Sequence, residues 1–301
     1  MDSHRPSAPL HLMLWWAMLG LLLLLGASPL SAKAAKESPI RFAPLPMENR
    51  EALVLKFRPM IEYLEEQLGR TIIFDFSENY AKILEKFQSG TIDLAYLGPL
   101  PYVELRAEYA QAEPLIHFKE ASGQPKYTCS IIALADQPIN LTNLQDHRIA
   151  LTQPLSTCGY LSVNGLLSNH NSNCEKNSYH YLGKHDEVAL AVIRGKFDIG
   201  GIKTAIGKRY AHMGLRFLAE TPPFPGFALI GNKATLSPET MQAIQQAMIT
   251  LDPTQKGEKE MARWGRSIRY GAVRAADNDY KTVRAYKGNL EIPTANKDLN
   301  P

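Results

Sequence analysis

Two hydroxyls and a thiol stand side by side at Ser156-Thr157-Cys158, within the stretch Pro154-Leu-Ser-Thr-Cys-Gly-Tyr160. Residues 148–151 before it read as a strand, and residues 161–167 after it suit a helix. At such a turn the first backbone N–H groups of the helix lack intrahelical partners, and the helix dipole places partial positive charge there. Hydroxyls beside those donors make a spot that favours an anion. An ordinary helix cap uses the same residue types, and these seven residues alone leave both readings open.

Other groups could face the same spot. His185, in Gly183-Lys-His-Asp186, can donate a hydrogen bond whether neutral or protonated; in the plainer reading Asp186 merely caps a helix. Asp198, in Gly195-Lys-Phe-Asp198, is an acceptor for a protonated ligand oxygen or a ligand ammonium, or else it satisfies the Gly195 turn. Tyr80 and Tyr102 would add phenolic donors. The chain has no Gly-x-Ser-x-Gly elbow, no Walker loop and no His-Glu-x-x-His pair. Ser156 and His185 as a nucleophile pair is less economical than a helix cap. The expectation is therefore a binding protein rather than an enzyme, with no cofactor and no metal. Cys129, Cys158 and Cys174 are odd in number and lack zinc-type spacing.

The elements that must position these residues alternate. Residues 40–44 read as a strand, 52–68 as a helix stopped by Gly69, 71–76 as a strand, 79–88 as a helix with Ile83, Leu84 and Phe87 on one face, and 92–96 as a strand. This βαβαβ run predicts a mostly parallel sheet in an α/β fold. Gly98-Pro99-Leu-Pro101-Tyr102 interrupts at the third strand's C-terminal end, where open α/β sheets place ligands, and a helix over 102–109 follows. A second run starts near residue 127. It has a strand to 135, a short helix over 141–145, the strand, Ser-Thr turn and helix already named, a strand over 178–182, a helix over 188–193 and a strand over 195–201. Gly195-Lys-Phe-Asp198 echoes Gly90-Thr-Ile-Asp93, which predicts two lobes built alike. After Pro222-Pro-Phe-Pro225, residues 226–231 suit a strand returning to the first lobe. Ser237 caps a helix over 238–251; residues 264–290 are mixed and 292–301 read as loose.

With 301 residues, 45% hydrophobic and 21% charged, the chain can bury a sizeable core, and a net charge of +3 gives no nucleic-acid footprint. The N-terminus has Arg5, an apolar run over 12–26 and Ala32-Lys33-Ala34, which together predict a secretory signal peptide cleaved near Ala34 or Ala32. That run is short for a membrane span.

Taken in order, Gly69 after a helix, Asn79-Tyr80, Ile92-Asp-Leu-Ala-Tyr-Leu-Gly-Pro99 with Tyr102, Ser156-Thr-Cys-Gly-Tyr160, Gly183-Lys-His-Asp186 and Phe197-Asp198 resemble a known family. It is the periplasmic phosphate/phosphite/phosphonate-binding proteins, the PhnD-like substrate-binding subunits of ABC transporters. The resemblance spans about residues 40–280. It implies a two-lobed periplasmic-binding-protein fold of type II, with two crossing strands near 124–129 and 222–228 and a ligand cleft between the lobes. Residues 1–34 would be the signal, 35–126 with 226–301 lobe 1, and 127–225 lobe 2. The family's anion site maps onto Ser156, Thr157 and Cys158, with Tyr80, Tyr102, His185 and Asp198 closing around the ligand. The function implied is capture of a small oxyanion (phosphonate, phosphite or phosphate) by a periplasmic monomer that passes it to an ABC permease. The alternative keeps the fold but serves a membrane signalling partner, in a thiol-dependent, arsenite-like manner. One departure feeds that alternative: the family usually has a hydroxyl where this chain has Cys158. A Cys129–Cys158 contact, as a disulfide or a soft-ligand pair, would then matter.

Overall fold

A computed structural model describes residues 38–255 and 257–298, with Met1 and Asp2. All of the expected signal peptide except those first two residues lies outside the described residues. From Ser38 onward contacts group the chain as one unit, and two sheets organise it. Strands β1 (Ile40–Pro44), β2 (Ile72–Phe74), β3 (Leu94–Leu97) and β4 (Ala112–Phe118) precede a short strand, β5 (Lys126–Tyr127). Strands β6 (Cys129–Leu134), β7 (Arg148–Leu151), β8 (Ser178–Tyr181), β9 (Ile199–Lys203) and β10 (Leu215–Glu220) follow. The chain then returns through β11 (Phe224–Pro225) to β12 (Ala228–Asn232) and β13 (Ala272–Arg274).

The six-stranded sheet runs β13-β4-β12-β3-β1-β2 and the five-stranded sheet β10-β6-β9-β7-β8, while β5 and β11 pair as a ribbon where the chain crosses. Apart from β13, both sheets share one plan, β2-β1-β3-β12-β4 matching β8-β7-β9-β6-β10. The protein is thus an α/β, two-lobed type II periplasmic-binding-protein fold. The sheets are mixed rather than mostly parallel. The strand entering just after each crossing, β12 in one lobe and β6 in the other, lies antiparallel to β3 and to β9.

The echo between the lobes has a structural cause. Asp93 accepts from the backbone N–H of Arg41 in β1 at 2.7 Å, and Asp198 accepts from that of Arg148 in β7 at 2.8 Å. Each Asp therefore fastens the chain entering one strand to its parallel neighbour, β3 to β1 in one lobe and β9 to β7 in the other.

Helices α1 (Arg50–Leu68), α2 (Tyr80–Gln88) and α3 (Pro99–Glu108) belong to the first lobe. α1 is capped by Asn49, whose Oδ1 accepts from Ala52 N–H at 2.8 Å, and it ends at Gly69. It buries Leu53, Phe57, Met60, Ile61 and Leu64, each stabilising by roughly 1.5–3 kcal/mol. In the second lobe α4 (Ser162–Ser168) and α5 (His185–Ile193) follow β7 and β8.

Two expectations differ from the structure, and two strands, β4 and β10, were not foreseen. Residues 141–145 form turns, not a helix, because Asn143 and Asp146 take φ of 55° and 59° and Asn143 N–H is given to His170 O. β4 is interior to its sheet although it contains Pro114, which sits at the register shift opposite β12, where a ladder donor is not required. β10 is an edge strand the sequence did not announce. Finally, the tail does not stay with the first lobe. Lys297 pairs with Tyr179 next to β8, and Tyr181 donates to Pro293 O at 2.6 Å. The assignment of 226–301 to lobe 1 therefore fails for its end, and residues 293–298 are strapped down rather than loose.

Candidate functional site

The Ser-Thr turn rises from the C-terminal end of β7. Ser156 is extended (φ −74°, ψ 127°), a widened helical turn spans Thr157–Leu161, and Gly159 breaks it with ψ of −128° before α4 begins. A Cβ on Gly159 would lie 2.9 Å from Thr152 Oγ1 and 3.0 Å from Gln153 O. One on Gly201 of β9 would lie 2.7 Å from Cys158 O. The turn is thus pressed onto the sheet where side chains would not fit. A disulfide from Cys158 to Cys129, the first residue of β6, holds it there. Cys174 is free and buried.

Neither hydroxyl serves as a cap for its own helix. Ser156 makes no capping hydrogen bond. Thr157 Oγ1 instead accepts from the backbone N–H of Leu100, at the start of α3 in the facing lobe, at 3.0 Å. A second contact of this kind joins the lobes: Gln153 Oε1 accepts from Tyr80 N–H, at the start of α2, at 3.1 Å. Two orphan N-terminal donors of lobe 1 are therefore satisfied by side chains of lobe 2.

Between these contacts lies a small, nearly closed cavity of about 10 Å³, room for about one water. Lobe 1 contributes Tyr80, Gly98 and Pro101; lobe 2 contributes Ser156, Thr157, Cys158, His185 and Lys203; the crossing segments contribute Tyr127 and Phe227. Burial pushes the phenols of Tyr80 and Tyr127 above their usual range, so both stay protonated donors. His185 is 5% exposed, and burial, then Lys203 and Arg209, pull its pKa down to about 3. Its Nδ1 accepts from Lys203 N–H at 3.3 Å, which assigns the proton of the neutral ring to Nε2. Lys203 Nζ lies 2.6 Å from Glu120 Oε1 and 4.8 Å from the Tyr127 ring centroid. Burial lowers its pKa, and the Glu120 carboxylate opposes that.

Five of the seven expected residues line this cavity: Tyr80, Ser156, Thr157, Cys158 and His185. Two do not. Tyr102 is fully buried, its ring 4.1 Å from that of Tyr280, and its hydroxyl donates to Asp277 Oδ1 at 2.7 Å. It ties α3 to the C-terminal segment. Asp198 holds the Arg148 backbone and guanidinium, the latter at 2.6 Å, and is spent within the sheet. Cys158 faces the cavity, but its sulfur is bonded to Cys129 and offers no thiol. The expectations missed Tyr127, Phe227 and Lys203. Their signals were present: Tyr127 and Phe227 flank the predicted crossings, and Lys203 lies at the C-terminal end of β9, where the lobe echo places the counterpart of Gly98 after β3. A wider groove between the lobes, lined by Arg50, Lys184, Arg194 and Lys196 beside Glu48, Glu78 and Glu187, shares Gln153 as a wall residue.

A family model described as "ABC transporter, phosphonate, periplasmic substrate-binding protein" matches residues 42–280. The Mycolicibacterium smegmatis phosphate-import protein PhnD is 30% identical over 271 residues, covering 81% of this chain and 84% of that protein. The Escherichia coli phosphonates-binding periplasmic protein is 25% identical over 245 residues, covering 76% and 71%. Among solved structures, Prochlorococcus marinus PhnD1 in complex with methylphosphonate superposes with a TM-score of 0.73 at 16% identity, over 83% of this chain and 97% of that one.

Proposed function

The chain belongs to the phosphonate family of ABC-transporter periplasmic substrate-binding proteins, and on that premise we propose that it holds a phosphorus oxyanion in the cavity at Ser156-Thr157. The observation that carries this is the disengagement of both hydroxyls from helix capping. Thr157 reaches across to Leu100 N–H, and Ser156 lines the cavity without a capping bond. Tyr80, Tyr127 and the Nε2–H of His185 supply further neutral donors, and Lys203 supplies charge. Together they meet the several simultaneous hydrogen bonds that a desolvated oxyanion requires.

The protein binds and does not transform its ligand. His185 Nδ1 is occupied by the Lys203 backbone N–H and its pKa is far below the range of a general base at neutral pH. It acts as a monomer that hands its ligand to a permease, after export directed by residues 1–34 and cleavage near Ala34 or Ala32. The arsenite-like reading loses support because the sulfur nearest the cavity is in a disulfide.

The test is a calorimetric screen of the disulfide-intact protein against phosphate, phosphite, methylphosphonate, sulfate and arsenite. Binding confined to phosphorus compounds supports the assignment. A response to arsenite alone, or to sulfate in preference to every phosphorus compound, contradicts it.

A further inference from the structure

Among the residues lining the cavity, Lys203 carries the one side chain that is charged at neutral pH. Its position is fixed by the sheet, because it pairs across from Cys129, the residue disulfide-bonded to Cys158 in the anion turn. The side chain is 6% exposed. One of its three donors goes to Glu120, which leaves donors for a cavity occupant. Tyr127 and Phe227 lie 4.8 and 5.0 Å from Nζ, measured to their ring centroids, and favour a cation at that point. Glu120 does not line the cavity. It lines a second pocket that Lys203 also borders, together with Glu48, Lys56, Arg209 and Arg266.

Resting on the reading of this cavity as a phosphorus-oxyanion site, we infer that Lys203 is its specificity-determining residue. Its ammonium supplies the countercharge for a compact, doubly ionised oxyanion and stands where a cationic substituent would have to go. The substrate class is then phosphate, phosphite or a phosphonate with a small uncharged substituent, and aminoalkylphosphonates are rejected. The sign of each interaction follows from the geometry. An oxyanion in the cavity has Lys203 in its wall and Glu120 outside it. The ammonium of an aminoalkyl chain held there likewise has Lys203, and not Glu120, in the wall around it. Two like charges in a small desolvated space are strongly disfavoured.

The experiment is calorimetry with phosphate, phosphite, methylphosphonate, 2-aminoethylphosphonate and propylphosphonate. The last two have the same chain length and differ in charge, so the comparison separates charge from size. The wild-type protein is expected to bind at least one compact anion, and to bind propylphosphonate on the order of 100-fold more tightly than 2-aminoethylphosphonate. Lys203→Met is expected to weaken the compact anions by at least about 10-fold. It should also reverse the order of the pair, because Glu120 is then free to take the ligand ammonium. Lys203→Met with Glu120→Gln avoids an unpaired buried carboxylate, and so remains informative where the single variant fails to fold. It is expected to lose the compact anions to the same degree and gain nothing for the aminoalkyl compound. If wild type binds or excludes 2-aminoethylphosphonate and propylphosphonate alike while holding a compact anion, the role of Lys203 is overturned and the oxyanion site stands. Unchanged compact-anion affinity in the folded variants overturns it as well. If wild type binds none of the compounds, the oxyanion site itself falls, and this inference with it.

Discussion

The hydroxyl of Thr157 accepts a 3.0 Å hydrogen bond from the backbone N–H of Leu100, a residue 57 positions earlier and in the opposite lobe. The bond is buried, and it ties the Ser-Thr turn of one lobe to the helix start of the other. The residue proposed to contribute a ligand donor therefore also bridges the two lobes. In hinge-closing proteins a ligand stabilises the closed state by contacting both sides, and Thr157 is placed to do so.

Gln153 is the second tie. Its Oε1 accepts from Tyr80 N–H, and its Nε2 lies 3.4 Å from Pro46 O. Gln153→Ala is expected to weaken ligand binding by about 1 kcal/mol, the worth of an ordinary hydrogen bond, chiefly through a smaller closed population. Small-angle scattering of the ligand-free protein should show a larger radius of gyration for the variant, with calorimetry giving the affinity loss. Unaltered affinity and dimensions would remove Gln153 from the closing mechanism.

The disulfide is expected to stabilise the fold without entering ligand chemistry. Cys129 and Cys158 are 29 residues apart, and replacing both by Ala should lower stability by about 2–4 kcal/mol, read in denaturant unfolding. Alkylation of the unfolded, unreduced protein should label Cys174 and neither of the other two. Labelling of Cys158 under those conditions contradicts the pairing.

The pH dependence follows from His185. Its folded pKa is depressed to about 3 from an ordinary 6.5, so between those values the unfolded chain binds more protons than the folded one. Stability from this group is complete above about pH 6.5 and declines as pH falls toward 3. Melting temperatures measured from pH 7.5 down to 4.5 should fall more steeply for wild type than for His185→Gln. Parallel curves would show that His185 is not buried neutral.

Tyr102 and Asp198 provide the contrast. Tyr102→Phe and Asp198→Asn are each expected to lower stability by about 1–3 kcal/mol, since the first removes one of the donors to Asp277, which keeps Arg284, and the second removes the charge that faces Arg148. Ligand affinity should change by less than about twofold, because neither side chain lines the cavity. A tenfold or greater loss of affinity in either variant, in protein shown to be folded, would return that residue to the site.

Much of the fold was legible because the first strands and helices keep their own periodicity. Asn79 and Gly69 mark their ends, and the Gly90/Gly195 echo foretold two similar lobes. The same echo held the means to avoid the error at Asp198. Arg41 and Arg148 occupy the matching strands β1 and β7, and the paired Asp93 and Asp198 answer them. An acidic residue recurring in both lobes is better suited to holding a sheet than to meeting one ligand. Tyr102 misled for another reason. Its partners, Asp277 and Tyr280, lie some 175 residues further along the chain, and no local pattern announces so distant a contact. Pro114 hid β4 because the bulge that accommodates it is set by the facing strand. Lys203 was signalled only by its place in the echo, as the counterpart of Gly98; its burial is something single-sequence patterns do not assign to a lysine.

The central claim is that Ser156 and Thr157 form an oxyanion site and not a helix cap, and calorimetric titration of methylphosphonate and phosphate into wild type and Thr157→Val tests it most directly. Wild type should bind at least one of the two, and the variant, isosteric but without the hydroxyl, should bind it more weakly by about 1.5–3 kcal/mol, as for a hydrogen bond to a charged group. Equal affinity in the two proteins, or no binding of either compound to wild type, would contradict the account.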